Sequence, residues 1–252
     1  MRRDSQSASR QIVFAVLSSG LLLASLPARA GSFTPAQRAE IVGILRDALR
    51  SDPTILRDAE QALQADDHAR LDEAGRAAIT RDRKALLSDP ADAVAGNPAG
   101  DVTVVEFYDT HCPFCRRMEP TIAALLKADP NVRLVYKDLP ILGPSSLLEA
   151  RALLAAQRQG GYLRLQQAFM RTSDESTPES IRAEAEREGL DGVRLLRDME
   201  DPAIRARLDA NARLANDLNV QGTPVLVIGQ QMIPGAVDLA DLRAAIAQVR
   251  RR

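Results

Sequence analysis

Only two cysteines occur in the 252 residues, and they stand together as Cys112-Pro113-Phe114-Cys115. Two thiols at this spacing can open and close a disulfide between themselves, and a thiolate at the first can attack a disulfide elsewhere. Pro113 suits the first position of a helix, which makes Cys112 the cap and turns its sulfur towards the free N–H groups of Phe114 and Cys115. A helix terminus stabilises a nearby anion by up to about 2 kcal/mol. His111, Arg116 and Arg117 add positive charge around it. Cys115, one turn further in, is expected to be less exposed and to act as the resolving thiol. Other uses of the pair fit less well. A structural disulfide closing so short a loop gains little denatured-state entropy. A structural zinc normally takes four ligands, whereas the chain has two cysteines and two histidines in all, so no metal site is assigned. A two-thiolate site for Cu(I) matches the ligand type and stays open as an alternative.

The pair must be held by what surrounds it. Val102-Thr103-Val104-Val105-Glu106-Phe107 alternates as a strand before it, and Met118 to Lys127 follows as a helical pattern. A C-x-x-C at a strand-to-helix junction is the signature of a thioredoxin-like redox site. Val132 to Tyr136 is a further strand, so strand, helix and strand make a βαβ unit. Residues 145–218 are almost wholly helical in pattern. Gln221-Gly222-Thr223-Pro224 then leads into the strand Val225 to Ile228, a hairpin at Gly229-Gln230, a short edge strand and a helix from Leu239 to Val249. The expected class is α/β, a thioredoxin-like fold over 89–252 with a helical insertion at about 145–218, preceded by an N-terminal helical segment.

That segment, residues 31–88, carries cap-plus-proline signals at Thr34-Pro35 and Asp52-Pro53. Ile41, Ile44, Leu45 and Leu49 recur at helical spacing, and Ile55, Leu56, Ala59 and Leu63 follow. The apolar stripe is too narrow to support a domain alone, so it packs on the following domain or on copies of itself. Its likeness to a short coiled-coil seam points to homo-oligomerisation through residues 33–88, with an extra helical layer on a monomer as the alternative. His68, among Asp66, Asp67 and Arg70, reads as a solvated helix residue. Residues 1–30 read as a signal peptide: Arg2, Arg3 and Arg10, then an apolar run from Ile12 to Leu26, then Ala28-Arg29-Ala30 with cleavage after Ala30. Export to the periplasm places the cysteines where disulfide chemistry persists. The formal charge of −1 offers no basic surplus for nucleic acid.

The strand ending in Glu106-Phe107, the C-P-F-C run, and the downstream Gly222-Thr223-Pro224 with Ile228 together resemble the DsbA-like thiol–disulfide oxidoreductases of the thioredoxin superfamily. The likeness covers roughly Ala91 to the C-terminus. With the helical segment in front, it is similar to the suppressor-of-copper-sensitivity-C and DsbA-like isomerase branch. The resemblance implies Cys112 as nucleophile, Cys115 as its partner, and Thr223-Pro224 as a cis-proline loop that pairs with an extended substrate. It also implies support for proton transfer from Glu106 and Glu119, with no cofactor. A solvated or salt-bridged Glu106, with Lys137 as a candidate partner, is the alternative at that position. The partners it implies are unfolded or misoxidised secreted proteins and a membrane redox partner. Two departures bear on direction. Phe114 occupies the position where the strong oxidases of the family carry histidine, and cannot donate to a thiolate. Thr223 replaces valine before the proline. Both lean towards an isomerase or reductase and away from a disulfide-forming oxidase.

Overall fold

The computed structural model describes residues 33–172 and 174–251; the signal-peptide reading of residues 1–30 lies outside them. The chain divides into two compact units at Glu60–Gln61. In the first, α1 (Pro35–Ser51) starts at Thr34, whose side chain and that of Gln37 each bond the other's backbone N–H. This is a capping box, with Pro35 in the first turn, as the cap-plus-proline signal predicts. No residue of α1 is buried.

The division at Glu60 moves the boundary expected at residue 88. The helix α2 (Thr54–Arg81) and the short α3 (Arg83–Leu87) end in Ala78, Ile79 and Leu86, all buried in a core cluster with strands of the second unit. Burying a side chain such as Leu86 stabilises by about 1.5–3 kcal/mol, so these residues belong with the sheet they cover.

Five strands form the sheet of the second unit: β1 (Ala93–Gly96), β2 (Val102–Tyr108), β3 (Val132–Asp138), β4 (Val225–Ile228) and β5 (Gln231–Pro234). Their order is β1-β3-β2-β4-β5. β2 and β3 run parallel, joined by α4 (Pro113–Ala128), and the remaining pairs are antiparallel. The fold is thioredoxin-like, with the helical block inserted between β3 and β4 as the sequence predicts. That block comprises α5 (Pro144–Gln157), α6 (Tyr162–Arg171), α7 (Pro178–Arg187), α8 (Gly192–Asp198) and α9 (Pro202–Asp217); α10 (Leu239–Arg250) closes the chain.

Side chains alternate across a strand, so the sheet has two dry faces. Val104, Tyr108, Leu134, Tyr136 and Leu226 face one core, which also holds Cys115, Met118, Ile122 and Leu125 of α4. Those four lie at spacings of three and four residues, one stripe of the helix. Val105, Phe107, Val135 and Val227 face the other core, against Leu86, Leu214 and Leu218.

The register decides the partner of Lys137. Glu106 stands opposite Tyr136, and Lys137 stands opposite Phe107, so Lys137 and Glu106 point to opposite faces. The alternative pair with Glu106 does not form. Instead Lys137 Nζ donates to both oxygens of Asp92, at 2.7 Å each, and to the carbonyl of Ala85. Arg207 of α9 joins Asp92 and Asp89 to this group. Burial pushes the Lys137 ammonium down and the Asp92 carboxyl up, and their mutual attraction opposes both shifts. A smaller feature is testable in the insertion. The Asp191 carboxylate accepts from the Arg194 N–H at the start of α8. Asp191→Ala is expected to lower stability by about 1 kcal/mol in urea unfolding, with no change in thiol reactivity.

Candidate active site

β2 ends in the turn Asp109-Thr110-His111, and Cys112 follows as the N-cap of α4 with Pro113 in its first turn. Asp109 is the hidden frame of this turn. Its buried carboxylate accepts from the His111 N–H at 2.8 Å, and from the N–H groups of Ile141 (2.9 Å) and Leu142 (3.1 Å) on the loop after β3. One side chain thereby ties the two loops together. An aspartate two residues ahead of a turn N–H is a recognisable Asx signal, although the second loop cannot be read from it.

Both cysteines are free and buried, Cys112 at 4% exposure and Cys115 at 0%. The Cys112 Sγ donates to the carbonyl of Thr223 at 3.1 Å. The Thr223–Pro224 bond is cis, and the Pro224 carbonyl accepts from Gly235 N–H. Residues 111 positions apart in the chain therefore meet at one sulfur. The sulfur does not cap the helix as expected, since no side-chain hydrogen bond forms at the cap. The thiol hydrogen goes to the Thr223 carbonyl, whereas the helix N–H groups have only hydrogens to give.

Beneath the cysteines lie the acids. Glu106, at 2% exposure, is pushed up to about 8, first by burial, then by the Glu119 carboxylate and the Cys112 sulfur. Burial also raises Glu119, against a hydrogen bond of 3.3 Å from Gln166 Nε2. Burial pushes the Cys115 thiol well up, helped by Glu106 and Cys112. The four groups that the family pattern singles out thus form one electrostatically linked set.

The flanking residues divide. His111 Nε2 stands 3.0 Å from Glu149 Oε1, a residue the sequence reading passed over inside the apolar run of α5. Arg116 Nε donates to the Thr110 carbonyl at 2.7 Å. Arg117 lies over the Phe114 ring, 4.7 Å from its centroid, and Phe114 is 51% exposed. Neither arginine donates a hydrogen bond to a sulfur. Beside the cis bond runs a groove of 390 Å³, lined by Thr223, Pro224, Val225, Met232, Pro234 and Leu71 among others.

Comparison with known proteins supplies the family. The model of the DSBA-like thioredoxin domain matches residues 103–247, more than half of the chain. The chain belongs to the DSBA-like thioredoxin domain family. A second model, the copper resistance protein ScsC N-terminal domain, matches residues 37–70. Among solved structures, a thioredoxin-like oxidoreductase from Silicibacter pomeroyi DSS-3 is 43% identical, with a TM-score of 0.65, over 68% of this chain and 98% of that one. A linker-deletion mutant of Proteus mirabilis ScsC is 27% identical, with a TM-score of 0.66, over 89% of this chain and all of that one. Among curated sequences, the Na(+)/H(+) antiporter NhaA 3 of Salinispora tropica is 31% identical over 157 residues, 62% of this chain. The chain spans 24% of that relative's length. Within the DSBA-like family, the match covers β2, the cysteine turn and the cis-proline strand, the elements that build the site.

Proposed function

We propose that the chain is an exported protein thiol–disulfide oxidoreductase, a disulfide isomerase or reductase for secreted proteins. One observation carries the reading: Cys112 is the N-cap residue of α4, its sulfur donates to the Thr223 carbonyl beside Pro224, and Cys115 is buried one turn further in. Cys112, as thiolate, attacks a substrate disulfide, and one substrate sulfur leaves as thiolate. Cys115 then attacks Cys112, the second substrate thiolate leaves, and the Cys112–Cys115 disulfide closes. In isomerisation a substrate thiolate displaces Cys112 instead, and no net electrons move. Cys115 must lose its proton to attack. Glu106, near 8, matches the working pH of a general base and takes that proton, with Glu119 beside it. Thr223 and Pro224 and the adjoining groove hold an extended segment of substrate.

The direction follows from Phe114, which has no donor for the thiolate and stands half out of the surface. The substrates are unfolded or misoxidised secreted proteins, and a membrane redox partner resets the pair. Residues 1–30 direct export to the periplasm, with cleavage after Ala30. Reactivation of scrambled ribonuclease tests the reading. The intact protein is expected to reactivate it in a glutathione buffer. An enzyme that oxidises reduced ribonuclease yet leaves the scrambled form inactive is an oxidase, and the isomerase reading then fails.

The first unit is proposed to assemble copies of the chain. Ile41, Ile44, Leu45, Leu49, Ile55 and Leu56 are all exposed, a run of apolar surface too regular for solvent. Deleting residues 33–60 keeps Ile79 and Leu86 in their core. The mass in solution is expected to fall from a multiple of the chain to a single copy; an intact protein that is already a monomer contradicts the assembly.

A further inference from the structure

Glu149 lies inside α5 at 1% exposure, surrounded in sequence by leucine and alanine, and the reaction above does not use it. Its Oε1 accepts from two sides, from His111 Nε2 at 3.0 Å and from the Ser176 hydroxyl. Its Oε2 is buried without a partner among the described residues. Burying a carboxylate costs free energy unless donors surround it, so packing does not explain this one. Its partner does. His111 immediately precedes Cys112 and is held a second time through its backbone N–H by Asp109. A carboxylate only accepts, so the ring nitrogen facing it carries the proton.

We propose that Glu149 is a positioning residue for the redox pair: it pins the ring of His111, the residue before Cys112, with a proton on Nε2, and the His111–Glu149 pair biases the Cys112–Cys115 couple towards its reduced form. This rests on the thiol–disulfide reading above. The Nε2–H and its carboxylate sit on the residue that immediately precedes the sulfur that becomes a thiolate. Glu149 holds that ring in place. Stabilising the thiolate stabilises the dithiol over the disulfide and makes the couple more oxidising. Phe114 offers no polar group between the cysteines, so the one adjoining the pair in sequence is His111, outside them. Glu149 from α5 faces the ring, the Ser176 hydroxyl from the segment before α7 donates to the same carboxylate, and Asp109 holds the His111 backbone N–H. Arg116, nearby on α4, directs its Nε to the Thr110 carbonyl.

The test is the equilibrium of the couple with glutathione at several pH values. The full chain is compared with Glu149→Gln, His111→Gln and the double variant, with thermal unfolding of each recorded. Each single variant is expected to become less oxidising by about three- to tenfold in the equilibrium constant, or about 15–30 mV. The double variant is expected to move no further, because both side chains act through one contact. A Glu149→Gln variant with an unmoved constant, or a double variant that shows the sum of both shifts, overturns the proposal. If Glu149→Gln does not fold, ring-nitrogen NMR of the unsubstituted protein decides, since His68 is the only other histidine. A proton on Nε2 of His111 supports the proposal, and one on Nδ1 alone overturns it. Scrambled-ribonuclease turnover is measured alongside. Its absence in the unsubstituted protein sinks the thiol–disulfide reading; turnover with an unmoved constant in Glu149→Gln sinks the His111–Glu149 role alone.

Discussion

Cys112→Ser is expected to abolish turnover of scrambled ribonuclease, by a factor of about a thousand or more, while leaving the fold intact. The size follows from the chemistry. A hydroxyl at this position has no accessible anion at neutral pH and forms no disulfide with substrate. The substitution is nearly isosteric, and the hydrogen bond to the Thr223 carbonyl suits a hydroxyl as well as a thiol. Thermal unfolding is therefore expected to shift by only a few degrees. Cys115→Ser is expected to behave differently: a first attack still occurs at Cys112, and the mixed disulfide is not resolved internally. Full activity in Cys112→Ser contradicts the role given to this sulfur.

The second large effect is expected at Glu106. Its carboxyl sits near 8 in the folded chain against 4.5 for the ordinary side chain. The native state therefore binds the more protons between these values, and stability falls as pH rises from about 4.5 to about 8. This is the opposite sign from a salt-bridged carboxylate. At pH 7 the lost stability amounts to about 3 kcal/mol. Glu106→Gln keeps the shape without the charge, so it is expected to gain about that much relative to the parent at pH 7 and little at pH 4.5. Urea unfolding across this range checks it. Exchange is expected to slow about ten- to hundredfold, because the proton of the buried Cys115 thiol loses its acceptor. A variant less stable than the parent at both pH values would show instead that Glu106 is held as a paired anion.

Several of these features were legible before the fold. The cysteine pair, its strand and its helix are local: alternation over Val102 to Phe107 and a proline after Cys112 specify them without knowledge of distant contacts. Thr223-Pro224 was legible only through family likeness, since nothing in its own residue types says that its carbonyl meets a sulfur 111 positions away. The alternative pairing of Glu106 with Lys137 is ruled out by register. Both residues lie near strand ends and carry opposite charge, yet Glu106 shares a face with Tyr136 while Lys137 shares one with Phe107. A one-residue offset moves a side chain to the other face, and spacing along the chain does not report it. Ala78 and Ile79 stand out as apolar positions in the polar end of α2, but the sequence does not say which core they join. Glu149 had one faint signal, a lone carboxylate within Leu147 to Ala156, and its meaning depends on where His111 arrives.

The central claim is that Cys112 is the sulfur that joins the substrate. Cys115→Ala prevents internal resolution, so the covalent intermediate accumulates. This variant is mixed with scrambled ribonuclease, quenched with acid and mapped by mass spectrometry of its peptides. The account predicts a mixed disulfide between Cys112 and a ribonuclease cysteine, absent when Cys112 is also replaced. No adduct at Cys112, or an adduct at Cys115 in the Cys112→Ala protein that forms as fast, contradicts it.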